Sequence, residues 1–430
     1  LGNIWRFPYL AAKYGGGIFL IIYIVLALTF GYTMIVAETA IGRMTRKSPV
    51  GAFKSFGKKK WLSFGGWINA VIPVLIVPYY SVIGGWVIKY LVEYFRGNAK
   101  LLAEDGYFTD FISNGVSTEL CFVAFCAFTL IIIFAGVQNG IERVSKIMMP
   151  ILIVLSVIIA VYSVTRPGAL EGVKYFLVPN VKNFSWMTVV AAMGQMFYSL
   201  SIAMGILITF GSYMKKDTAI EDSTRNVEIF DTGIAIMAGL MIIPAVFAFS
   251  GGDPDTLQAG PSLMFITIPK VFQNMGFGTV IGIVFFVLVL FAAVTSSIAL
   301  TESAVSTFED ELGWGRKKAT VLVGVIMLAL GSLSSLGYGP LAGIKIIGMQ
   351  FLDLFDFLTN SVMMPIAALL TSLLVSRVVG IDKIEEEIIH GESAFRRKKV
   401  FVVMIKYLCP VFAIIILLSS VANALGWIKM

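Results

Sequence analysis

The run FDTGIAIMAGLMIIPAVFAF, residues 230–249, carries one charge, Asp231. An acid inside a membrane helix is by default part of a functional site. Two other stretches put polar groups where apolar ones are expected. The chain opens LGNIWRFPY, and residues 194–205 read GQMFYSLSIAMG. Amide, hydroxyl and carboxylate oxygens beside glycine at membrane depth suit the binding of a solute or an ion. Nothing suits covalent catalysis, since there is no nucleotide-binding loop and no nucleophile elbow. His390, the one histidine, lies in a charged loop, so no metal cluster is expected. Cys121, Cys126 and Cys409 fall in apolar runs and read as small hydrophobes.

The elements that must position these groups follow from composition. The 430 residues are 58% hydrophobic and 14% charged. Soluble domains carry roughly 25% charged residues. Apolar runs longer than about 18 residues recur along the chain, and each is a candidate transmembrane helix. The pattern predicts spans near 1–13, 17–43, 64–95, 119–137, 141–164, 185–213, 225–249, 276–307, 316–336, 345–376 and 399–425. The first is a stub: the chain as given is expected to begin inside that span, without its N-terminal half.

The net charge of +7 is explained by topology. Basic residues crowd the loops after the second, sixth, eighth and tenth spans, which the positive-inside rule puts in the cytoplasm. Loops near 97–118 and 251–270 lack such clusters. The expected class is an all-α, multi-pass protein of the cell membrane, with the bilayer rather than nucleic acid as its surroundings.

The two polar stretches lie five spans apart. That offset is what an inverted five-plus-five repeat gives, with the first helix of each half interrupted at a binding site. The halves would be 1–164 and 185–376, with 399–425 an extra helix. The alternative is ordinary small-residue helix packing. Ile76 and Tyr80 are one turn apart and share a helix face. Thr295 and Ser296 could serve a site, or simply back-bond to carbonyls one turn earlier. Gly140 and Pro150 flank the start of the fifth span, where a proline kink is expected.

Several motifs together resemble the neurotransmitter:sodium symporter family. They are LGN-x-W-R-F-P-Y, GGG-x-F-x-x-x-Y, Glu38-x-x-x-Gly42-Arg43, Gln195-x-F-Y-S-L-S, Thr295-Ser296-Ser297-Ile298-Ala299 and Phe308-Glu309-Asp310-Glu311. They run in order along nearly the whole chain, and eleven spans resemble the bacterial branch. The resemblance implies a symporter of neutral hydrophobic L-amino acids, driven by two Na⁺ ions through alternating access.

The resemblance also implies roles. Leu1, Gly2, Ile76, Tyr80, Tyr198, Ser199, Ser201, Met204, Ser296 and Leu300 would line the substrate site. Tyr80 would meet the substrate carboxylate. Asn3, Ser199 and Asp231 would hold one Na⁺, with Asn226 a rival to Asp231. Ala292, Thr295 and Ser296 would hold the other. Asp231 followed by Ala235 implies that a fixed carboxylate replaces a bound chloride. Arg6 and Asp356 would form an outer gate, with Gln195 bridging nearby, and Asp310 would belong to an inner gate. Glu38 would support the break in the sixth span. Unwinding between Gly140 and Pro150 would open a water path. The competing readings are an amino-acid receptor that does not transport, a channel, and a symporter of amines. No enzyme is expected.

Overall fold

The computed structural model describes residues 2–251 and 263–424. Leu1 and part of the 251–270 loop therefore lie outside the described residues. Among those described, nine helices are long and apolar enough to cross a membrane. They are Gly17–Thr45, Lys60–Phe95, Gly115–Phe134, Val137–Val164, Ile220–Ser250, Gly278–Leu312, Arg316–Leu336, Phe351–Val379 and Lys398–Asn423. The first span is the shorter helix Gly2–Lys13, and the sixth is split into Trp186–Ser199 and Ile206–Tyr213.

The sequence-based bounds miss most at the ends. The fourth span starts at Gly115 because Asn114 caps it, accepting from the Ser117 N–H at 3.1 Å. Apolarity alone trims such a polar first turn. The tenth starts at Phe351 because residues 346–349 close a turn, with Gly348 at φ 77°.

The sixth span breaks over residues 200–205. Ser201, Ala203 and Gly205 have φ of 55°, 58° and 70°. Left-handed backbone at a non-glycine residue costs of order 1–3 kcal/mol and persists only where the surroundings enforce it. Fully buried Glu38 supplies that enforcement: its Oε1 accepts the Ala203 N–H at 2.8 Å. At Gly205 a Cβ would lie 2.7 Å from the Asn69 carbonyl oxygen. The inner half of the span packs backbone to backbone on the second span. A Cβ on Gly42 would sit 2.0 Å from the Ile208 carbonyl oxygen.

The basic loops gather at one end of the bundle. Arg43, fully buried, reaches Glu387 Oε1 at 2.7 Å and the Thr218 carbonyl at 2.5 Å. Lys54 pairs with Glu311 at 2.6 Å. At the opposite end Lys270 pairs with Asp105. This arrangement agrees with the topology expected from charge.

Candidate functional site

A cavity of about 450 Å³ lies between the first, third, fifth, sixth, seventh and eighth spans. All the described residues expected at the substrate and sodium sites line it: Gly2, Asn3, Ile76, Tyr80, Tyr198, Ser199, Ser201, Met204, Asp231, Ala292, Thr295, Ser296 and Leu300. Asn226 lines it as well. The break in the sixth span is what presents Ser199, Ser201 and Met204 from one short segment. Gly2 lets the Tyr198 ring close over the cavity, since a Cβ there would lie 2.4 Å from the ring.

Asp231 is the only charged residue lining this cavity among the described ones. Its Oδ1 accepts from Asn3 Nδ2 at 2.7 Å, and its Oδ2 from the Tyr23 hydroxyl at 2.7 Å and the Ser199 hydroxyl at 3.2 Å. Tyr23 Oη and Ser199 Oγ are also 2.7 Å apart. These donors explain how a carboxylate is accommodated at membrane depth. Sequence reasoning assigned Tyr23 no role, although the motif GGG-x-F-x-x-x-Y ends on it. Its partners are 176 and 208 residues away, so no local spacing reveals them.

The residues around the proposed sodium positions offer oxygens, as a hard cation requires: the Ser199 hydroxyl, the Asp231 carboxylate, and on the eighth span Ala292 with Thr295 and Ser296, while Asn3 turns its Nδ2 to Asp231 and its Oδ1 to Gln195. Thr295 Oγ1 back-bonds to the carbonyls of Phe291 (2.9 Å) and Ala292 (3.2 Å). The back-bonded geometry therefore holds at Thr295, and an ion would have to draw the hydroxyl out of it. Tyr80 is buried, and its hydroxyl lies beside Ser296 without a well-formed hydrogen bond. That leaves it free to donate to a ligand.

The gate residues are placed differently from expectation. Arg6 and Asp356 both line an outer vestibule of about 360 Å³, but they do not pair. Arg6 lies over the Tyr198 ring, 5.1 Å from its centroid, a cation–π arrangement. Asp356 accepts from Asn360 Nδ2 at 2.5 Å and from the Tyr79 hydroxyl at 3.2 Å. Gln195 does not bridge them. It turns inward, donating to the Gly2 carbonyl (3.4 Å) and Asn3 Oδ1 (3.3 Å). At the other end Asp310 accepts the Ser48 N–H at 2.5 Å, so it caps the short helix Pro49–Lys54. Pro150 sits within a continuous helix, Arg143–Val164; Gly140 lies in the wider π-turns of Val137–Glu142 just before it. The fifth span is not unwound here.

Comparisons with known proteins agree with this architecture. The chain matches the sodium:neurotransmitter symporter family over residues 1–101 and 109–427. It is 34% identical to a sodium-dependent transporter, YhdH, of Bacillus subtilis, covering 98% of this chain and 93% of that protein. It is 30% identical to a sodium-dependent transporter of Methanocaldococcus jannaschii, MJ1319, covering 90% and 80% respectively. The crystal structure of MhsT in complex with L-phenylalanine superimposes with a TM-score of 0.87 at 34% identity, covering 98% of this chain and 95% of that one.

A bundle of membrane spans around a largely apolar cavity with a few polar groups, with these relatives, defines a sodium-dependent membrane transporter and not an enzyme. The chain belongs to the sodium:neurotransmitter symporter family, and its fold is the inverted five-plus-five helix repeat with an eleventh span.

Proposed function

We propose that this transporter moves neutral hydrophobic L-amino acids together with Na⁺ by alternating access, without needing chloride. One observation carries the reading. The single charged group lining the cavity among the described residues, Asp231, spends both oxygens on Asn3, Tyr23 and Ser199. No charge is left to meet a substrate side chain, while Ile76, Met204 and Leu300 offer apolar walls. Met204 is flexible and polarizable, which favours aliphatic and aromatic side chains alike. The solved relative MhsT was crystallised with L-phenylalanine, which fits such a pocket.

The substrate carboxylate would take the Tyr80 hydroxyl and the N–H groups at the start of the first helix, where the helix dipole favours an anion. A Na⁺ held by Asn3, Ser199 and Asp231 would share that carboxylate, so each ligand raises the other's affinity reciprocally. A second Na⁺ would use Ala292, Thr295 and Ser296. Inward Na⁺ movement then supplies about 2.3 kcal/mol per charge per 100 mV, besides its concentration gradient. Asp231 provides the fixed negative charge that a bound chloride would otherwise supply, and Ala235 one turn on offers no hydroxyl for the anion. Residues 1–164 and 185–376 would be the two halves that exchange access.

The test is uptake of labelled leucine and tryptophan into proteoliposomes under an inward Na⁺ gradient. Both should accumulate with Na⁺, fail with K⁺, and ignore replacement of chloride by gluconate. Binding without accumulation would favour a receptor. Uptake indifferent to Na⁺ would overturn the ion sites, and uptake of amines alone would overturn the substrate class.

A further inference from the structure

The tenth span changes its winding at Asp356. Phe351–Asp356 is α-helix, and Phe357–Met363 follows in wider π-turns. Such turns inside a helix recur at functional sites. Asn360 lies within them, four residues past Asp356. Its Nδ2 donates to Asp356 Oδ1 at 2.5 Å, and the Tyr79 hydroxyl, from the third span, donates to the same oxygen at 3.2 Å. Asn360 Nδ2 also lies 3.3 Å from the Tyr79 hydroxyl, so the three groups close a triangle. Tyr79 is buried, and its hydroxyl has buried Thr359 Oγ1 at 3.4 Å. The acid is thus tied to the packed wall between the third and tenth spans.

Arg6 lines the same vestibule with the opposite charge, yet it lies over the Tyr198 ring. Opposite charges facing one small vestibule attract, and something has to offset that attraction. The two donors on Asp356 Oδ1 are neutral, and both sit on the side of the acid away from the first helix. Their hold is also incomplete. Asn360 Oδ1 is buried with no hydrogen-bond partner among the described residues. An unsatisfied buried acceptor raises the energy of the arrangement that contains it. Limited stability suits a contact that breaks and re-forms.

We propose that Tyr79 and Asn360 form a latch that holds Asp356 off Arg6 and keeps the outer vestibule open. When the acid leaves them for Arg6, the start of the tenth span is drawn towards the first helix and the outer side closes. Tyr79 and Asn360 are positioning residues: they act through Asp356. The latch rests on the alternating-access reading, but its test needs neither substrate nor uptake, so an error in substrate class would leave it standing.

The test measures how fast the transport cavity is reached from outside. Ile76→Cys places a thiol in that cavity, and a membrane-impermeant thiol reagent is applied externally with Na⁺ present and no amino acid. The same protein without Ile76→Cys gives the background from Cys121, Cys126 and Cys409. Tyr79→Phe and Asn360→Leu should each slow the modification about tenfold, the scale of one hydrogen bond to a charged group. The decisive arm repeats both in Arg6→Met, where Asp356 has no cation to join. There neither substitution should slow the reaction, and the recovered rate shows that the variants are folded. Should Asn360→Leu not fold, Tyr79→Phe, which deletes one oxygen, carries the test alone. Unchanged or faster modification with Arg6 present would overturn the latch. So would a slowing of the same size with and without Arg6, since a merely structural role does not depend on that charge.

Discussion

At the scale of single residues, Asp231 decides most. Replacing it by asparagine keeps the shape and removes the charge proposed to offset Na⁺ at membrane depth. Asp231→Asn is expected to lower chloride-free uptake by at least about tenfold, or ~1.4 kcal/mol in coupling. Full uptake in gluconate would sink the fixed-charge argument. Tyr23→Phe removes one donor to the same carboxylate. A hydrogen bond to a charged group contributes roughly 1.5–3 kcal/mol. The variant should therefore need about tenfold more Na⁺ or beyond for half-maximal uptake, and an unchanged Na⁺ dependence would show that Tyr23 does not orient Asp231. The two residues also mark what a sequence discloses. Asp231 is legible because a charge contradicts the apolar run around it. Tyr23 contradicts nothing, since a tyrosine suits an apolar helix, and its meaning lies in partners brought together by folding. The proposed outer gate is unpaired in this structure for the opposite reason. Arg6 and Asp356 have the right types, yet Tyr198 and Asn360 satisfy them separately.

At the scale of elements, the break in the sixth span is the feature that turns a bundle into a site. The GQMFYSLSIAMG stretch signals a departure from plain helix through its glycines and hydroxyls. It does not show which residues turn left-handed, because neither Ser201 nor Ala203 favours that region. The enforcing group is Glu38, on another helix and 165 residues away. Packing of the inner half is equally non-local. A Cβ on Gly42 would meet the Ile208 carbonyl oxygen and carbon at 2.0 and 2.8 Å, and backbone atoms cannot swing aside. Gly42→Ala should therefore push the second span and the inner sixth helix apart and sharply lower the melting temperature of the purified protein. Gly233→Ala, also inside a helix and with nothing within 4 Å of the added carbon, is the matched control and should be close to neutral. Equal melting temperatures for the two variants would mean that the contact is softer than its geometry implies.

At the scale of the whole molecule, the cytoplasmic end is tied by groups that composition could place but not pair. The positive-inside rule assigns Arg43 and the basic clusters to one side, and the structure agrees. It gives no hint that Arg43 is fully buried against Glu387, 344 residues on, in a helix of the loop before the last span. Arg43 also holds the Thr218 carbonyl, so one guanidinium joins the end of the second span, the loop after the sixth and the helix Ile381–Ile389. A buried pair of this kind is costly to break from one side, because the remaining charge loses its partner; the penalty is typically about 3–5 kcal/mol. Replacing both partners by apolar residues of similar size leaves no buried charge unpaired, since Lys216, which also reaches Glu387 at 3.3 Å, is exposed, and such a change is often near neutral. Glu387→Leu alone is thus expected to destabilise strongly, and Arg43→Met with Glu387→Leu to recover most of that loss in thermal unfolding of the detergent-solubilised protein. If the double variant retains its stability but loses Na⁺-driven uptake, the pair serves the closing of the inner side. If it retains both, Arg43 and Glu387 specify the docking of the loop and no more. A double variant as unstable as Glu387→Leu would contradict the pairing as the source of the penalty and shift the weight to the carbonyl of Thr218, which methionine cannot hold.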